Sequence, residues 1–128
     1  MELRSFKLQF AEGRARAVPS TDEAGAPFVD VAIDLVGAEG EAALAAGEPL
    51  RAWFAERAPG AGVRSISFDL PRGRALATVQ APGARVEAVR VDERACPELF
   101  DLARALMPTL RGLALRVFAR RPTRACRG

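Results

Sequence analysis

A two-residue period dominates this chain and limits what it can fold into. Across residues 28–36, Val29, Val31, Ile33 and Leu35 alternate with Asp30, Ala32 and Asp34. Such alternation assigns one set of side chains to each face of a strand, so it specifies a half-buried sheet rather than a helix. Residues 3–10 repeat the pattern, with Phe6, Leu8 and Phe10 opposite Ser5, Lys7 and Gln9. Residues 14–18 return from Glu12 and Gly13 as a hairpin partner, with Arg14 and Arg16 on one face and Ala15 and Ala17 on the other. Three more runs, 63–70, 75–80 and 85–91, are divided by turns at 71–74 and at Pro82 and Gly83. Short strands joined by Pro/Gly turns read as an antiparallel meander.

Helical spacing interrupts this pattern twice. Pro49 suits a first helical turn, where its missing N–H costs nothing, and Leu50, Trp53, Phe54 and Arg57 follow at i, i+3, i+4 and i+7. Pro97 opens a second helix carrying Leu99, Leu102, Ala103, Leu106 and Leu110, with Glu98 near the positive N-terminal end. Pro108 is expected to end or kink it. Residues 113–120 alternate again, Leu113, Leu115 and Val117 against Arg116 and Arg120, and read as a last strand, with a continued helix as the alternative. Residues 37–48 are small and glycine-punctuated, enough for one helical turn, and residues 19–27 form a loop.

The expected fold is therefore α+β, a mostly antiparallel sheet of six to seven strands with two helices packed on it, in the order β-β-β-α-β-β-β-α-β. Residues 1–121 form the domain and 122–128 a flexible basic C-terminal tail. Phe6, Phe10, Ile33, Phe68, Leu102 and Leu106 are the expected core. The two helices match at an offset of 49 through Leu50/Leu99, Trp53/Leu102 and Pro59/Pro108. That is too thin to establish a duplication, and a single α+β domain is the reading.

Composition narrows the chemistry. With 49% hydrophobic and 27% charged residues, the chain is neither collagen-like nor extended disorder. It has no His and no Tyr, which removes the commonest general base and metal ligand. Two cysteines, Cys96 and Cys126, stand thirty residues apart outside any CxxC, so no metal and no cofactor is expected. No apolar stretch approaches the roughly 18 residues that span a bilayer, which points to a cytoplasmic protein and no membrane partner. Eighteen Arg to one Lys, with 26 Ala, is the composition of a GC-rich, bacterial-type genome.

Charge is the most informative feature left. Residues 1–101 carry 12 Lys/Arg against 16 Asp/Glu, whereas residues 102–128 carry seven Arg and no acid. Arg116, Arg120 and Arg121 are thus candidate partner-binding residues, suited to planar carboxylates or phosphates. Trp53 beside Phe54 is a candidate apolar anchor. Cys96, just before Pro97, is the one thiol placed where helix N–H groups favour a thiolate, yet no His supports it, so it is expected to be chemically quiet. Asp30 and Asp34 lie about 13 Å apart on one strand face, too far for a shared proton, and read as the solvent face of the sheet, with Arg14 and Arg16 as candidate partners across strands.

The functional expectation is a small protein-binding module, an adaptor, regulatory or inhibitor/immunity-type partner of another protein or of itself, rather than an enzyme. The alternatives are a small-ligand-binding protein or enzyme with a pocket between sheet and helices, and a weak nucleic-acid-binding accessory protein using the C-terminal arginines.

Overall fold

The structure is a computed structural model and describes residues 2–20 and 32–120. Within it run β1 (Leu3–Gln9), β2 (Arg14–Pro19), β3 (Ile33–Leu35), α1 (Gly37–Ala46), α2 (Glu48–Arg57), β4 (Gly62–Asp69), β5 (Arg74–Gln80), β6 (Glu87–Asp92) and α3 (Pro97–Ala119). The fold is α+β. Six strands form one antiparallel sheet in the order β3-β2-β1-β4-β5-β6. The alternating apolar side chains, Phe6, Leu8, Ala15, Ala17, Ile33, Leu35, Ile66, Phe68, Ala75 and Ala77, are all buried against the helices. Phe68 sits at the centre of the aromatic core. Its ring stacks on Phe6 at 5.2 Å between centroids and meets Phe100 of α3 edge-on at 5.2 Å.

The two strand hairpins are copies of one another. In β1–β2, Gln9 pairs with Arg14 and Leu8 with Ala15, and the register slips between Leu3 and Ser5. In β4–β5, Asp69 pairs with Arg74 and Phe68 with Ala75, and the slip falls between Val63 and Ser65. Each position is displaced by 60 residues, as from Gly13 to Gly73. The residues agree as well: Arg4/Arg64, Ser5/Ser65, Gly13/Gly73, Arg14/Arg74, Ala15/Ala75 and Ala17/Ala77 are identical. Strands β1 and β4 then pair with Lys7 opposite Ser67, so an approximate two-fold axis crosses the sheet between those two residues. The strand order accordingly reads the same from either edge. The chain therefore carries a structural repeat, within one sheet, at an offset of 60 and not the 49 that the helices suggest.

Three expectations need correction. Residues 113–119 are helical and Arg120 is the C-cap, because α3 continues through Pro108 to Ala119. Leu106, Leu110, Leu113 and Ala114 form one buried stripe across that proline, and its burial outweighs the bond lost. Pro108 and Arg104, whose carbonyl would have accepted that bond, are both exposed, so water can serve the vacated carbonyl. Residues 37–46 make a full helix rather than one turn, since alanine favours helix even where it leaves no broad apolar stripe. Leu102 is 39% exposed, because the buried face of α3 runs through Leu99, Ala103 and Leu106, and Phe10 is only half-buried at the end of its strand. The remainder of the 28–36 strand expectation, residues 28–31, lies outside the described residues.

Two glycines permit close approaches, one within α1 against β3 and one at the break between α1 and α2. A Cβ on Gly40 would lie 2.7 Å from the Leu35 carbonyl oxygen, and one on Gly47 would run into Leu8 Cδ1. Gly47 therefore lets the chain pass directly over β1, and Pro49 starts α2 immediately afterwards.

Candidate functional site

All three helices cover one face of the sheet, and among the described residues no element covers the other, the open face. On that open face the strand registers set out rows of side chains. One row runs Asp34, Arg16, Lys7, Ser67, Leu76, Arg90 from β3 to β6. Its neighbour runs Val18, Ser5, Asp69, Arg74, Asp92 from β2 to β6. The small serines leave shallow ground between long cationic side chains. A groove of about 450 Å³ opens there, lined by Arg4, Ser5, Lys7, Arg16, Ser67 and Arg72 among others. A second, of about 400 Å³, adjoins it through Ser67 and Asp69 and extends to Arg74 and Arg90.

Pairing across this face is selective. Arg16 Nε donates to Asp34 Oδ1 at 2.9 Å, so Asp34 lies on the solvent face and Arg16, one of its two candidate partners, is the one it meets. Arg14 pairs with Glu12 at 2.8 Å and donates to Gln9 Oε1 at 3.1 Å, while Arg72 pairs with Asp69 at 3.5 Å. Ser65 and Thr78 share a hydroxyl hydrogen bond of 2.6 Å. Lys7, Arg74 and Arg90 have no ion-pair or hydrogen-bond partner among the described residues.

The residues singled out from sequence fall elsewhere, on the helical side. Arg116 and Arg120 sit on the last turns of α3. Arg120 forms an ion pair with Glu39 of α1, whose side chain is nearly buried, while Arg116 has no partner among the described residues. Arg121 lies outside the described residues, as does Cys126. Trp53 of α2 is half-buried. Its ring meets Phe54 edge-on at 4.9 Å and carries the Arg57 guanidinium 3.6 Å above it, and its buried Nε1–H has no acceptor among the described residues. Cys96 is the half-exposed N-cap of α3, and its side chain makes no capping bond. Sequence reasoning did not single out Leu115 and Phe118. They are 45% and 56% exposed on the outer side of α3, along the same stripe as Arg111.

Between the β6–α3 connection and α3 stands one well-formed charge pair. Arg104 Nη1 and Nη2 donate to the two carboxylate oxygens of Glu93 at 2.7 and 2.9 Å. These bonds hold the Glu93 carboxyl below its usual range. Among the described residues, no three or more Cys, Asp and Glu side chains are grouped to hold a metal ion, and no helix is long and apolar enough to cross a membrane. No protein-family model, curated protein or solved structure matches this chain.

Proposed function

We propose that this chain is a protein-binding module whose contact surface is the outer side of α3, and that its occupant is a second copy of the chain. The observation that carries this reading is the exposure of Leu115 and Phe118 beside Arg111, which has no partner among the described residues. Apolar anchors surrounded by arginine are the usual make-up of a protein–protein contact. Charge complementarity selects the occupant. The segment holding α3's outer turns is basic, and the body before residue 102 carries more acid than base, so the same chain offers both partners of the contact. Arg116 belongs to the rim of this surface. Arg120, tied to Glu39, holds the end of α3 against α1. Arg121 extends the basic run, and Trp53 under Arg57 is a secondary anchor on α2.

Sedimentation velocity at low and high salt tests the proposal on the wild type, on the pair Leu115→Ser and Phe118→Ser, and on a variant neutralising Arg116, Arg120 and Arg121. The expected result is a concentration-dependent dimer that weakens with salt and is lost in the serine pair. A monomer at every concentration, or a dimer indifferent to both variants, would overturn it.

A further inference from the structure

The repeat provides an internal comparison for the open face of the sheet. The approximate two-fold axis maps the groove beside Lys7 onto an equivalent patch at the opposite ends of the central strands. The groove is lined by Arg4, Ser5, Arg16, Val18 and Arg72. Their counterparts 60 residues away are Arg64, Ser65, Leu76, Thr78 and Glu12, so the two ends have diverged in charge. At the first end Arg4, Arg16 and Arg72 line the groove with Lys7. Two carboxylates offset part of that charge, Asp69 on Arg72 and Asp34 on Arg16, which leaves the Lys7 ammonium as the cation without an ion pair among the described residues. At the second end Arg16 is replaced by leucine and Arg72 by glutamate.

The polar groups diverge in the same direction. Ser65 and Thr78 satisfy each other, and Arg64 is committed to Gln80 Oε1 at 2.9 Å. Ser5, opposite Val18, has no such hydroxyl across from it, and neither Ser5 nor Lys7 has a side-chain partner among the described residues. Ser67, directly across from Lys7, makes only a long 3.4 Å bond to the Leu76 carbonyl. Lys7 is also the only lysine in the chain. Its ammonium is a compact point charge with three rotatable donors, where a guanidinium is a planar fork.

We infer that this groove is an oxyanion site that takes a phosphoryl group, with the Lys7 ammonium and the Ser5 and Ser67 hydroxyls as donors and Arg4, Arg16 and Arg72 as the surrounding charge. Ammonium and hydroxyl donors converging on a tetrahedral anion are the chemistry of phosphate recognition. Among the described residues the open face presents no aromatic side chain, because Phe6 and Phe68 are buried towards the helices, so none of them stacks a base there. The recognised element is thus the phosphoryl group itself, whether on a small molecule or on a lipid headgroup.

The test is an amide-shift titration with inorganic pyrophosphate at constant ionic strength, with succinate as the carboxylate control. A parallel arm measures flotation with phosphatidylcholine vesicles, with and without phosphatidic acid. Saturable shifts at Ser5, Lys7 and Ser67, with Ser65 and Thr78 unmoved, are expected. Lys7→Met should weaken binding about tenfold, the loss of one charge-assisted hydrogen bond. Ser67→Asp, which puts a carboxylate opposite Lys7, should abolish it, and Glu12→Gln at the equivalent end should leave it unchanged. Binding to pyrophosphate alone identifies a small-molecule ligand, and flotation that needs phosphatidic acid identifies a headgroup. No saturable shift with either probe, equal affinity for succinate, or wild-type affinity in Lys7→Met would overturn the assignment.

Discussion

Gly13 and Gly73 adopt the same left-handed conformation, φ +68° and +63°, at the same position of two hairpins. Each turns the chain so that the next residue, Arg14 or Arg74, is directed onto the open face and the following alanine into the core. At such a φ an L side chain meets its own backbone. Gly13→Ala and Gly73→Ala should each cost about 1–2 kcal/mol of strain. Gly13 has open space around it, whereas a Cβ on Gly73 would press on Glu93 Cβ at 3.2 Å. Urea unfolding should therefore show Gly73→Ala as the more damaging of the two.

The buried face of α3 can be tested by truncation. Leu106→Ala removes a core side chain and should cost roughly 2–5 kcal/mol, while Leu102→Ala, on the exposed side, should stay within about 1 kcal/mol. Denaturant midpoints that shift equally for both would mean that the helix faces the sheet differently.

Acid should loosen the junction between β6 and α3. Because Arg104 lowers the Glu93 carboxyl below its ordinary value of 4.5, the folded state binds that proton less readily than the unfolded chain does. The contribution is fully present above about 4.5 and is lost as pH falls through the lower folded value. Glu48, lowered by its hydrogen bonds from Arg51, follows the same sign in α2. Denaturation midpoints measured from neutral pH down to pH ~3 should fall less steeply in Arg104→Met than in the wild type.

Cys96 offers a test of helix capping. It occupies the N-cap of α3 with φ −140° and ψ 70° and makes no side-chain bond to the first turn. Serine is a preferred N-cap because its hydroxyl can accept from those N–H groups. Cys96→Ser should therefore leave the fold intact and stabilise it by up to about 0.5 kcal/mol in thermal unfolding. Fast stoichiometric alkylation of the wild-type thiol at neutral pH would contradict its expected quiet chemistry.

The sheet was legible because its alternation has only one structural meaning once a face is buried. Alternation failed as a guide at residues 113–120, where Leu113 and Val117 satisfy a helix as well as a strand. Only the neighbouring turns, through Leu106 and Leu110, decide between the two. Alpha1 was hidden for a different reason: alanine and glycine give a helix no apolar stripe to read. The repeat was missed in comparing helices, since its identities sit in the hairpins, at Arg4-Ser5 and at Gly13-Arg14-Ala15. The cationic groove was not visible in sequence either. Ser5, Lys7 and Ser67 look like any solvated strand face until the register sets Lys7 against Ser67.

The seam between β1 and β4 also has a consequence in time. β1 meets its central neighbour only after some sixty further residues have been made, counted from Lys7 to Ser67. At the usual pace of translation, about 5–20 residues per second, one edge of the first hairpin waits several seconds for its partner. Another nascent chain on the same message presents the same unfinished edge. Because the two halves are alike, the first half of one chain can pair with the second half of another and give an exchanged dimer with every native strand contact in place. The yield of properly closed monomer should then depend on how far apart ribosomes sit, and slowing translation within residues 37–61 would raise the proportion of interlocked pairs.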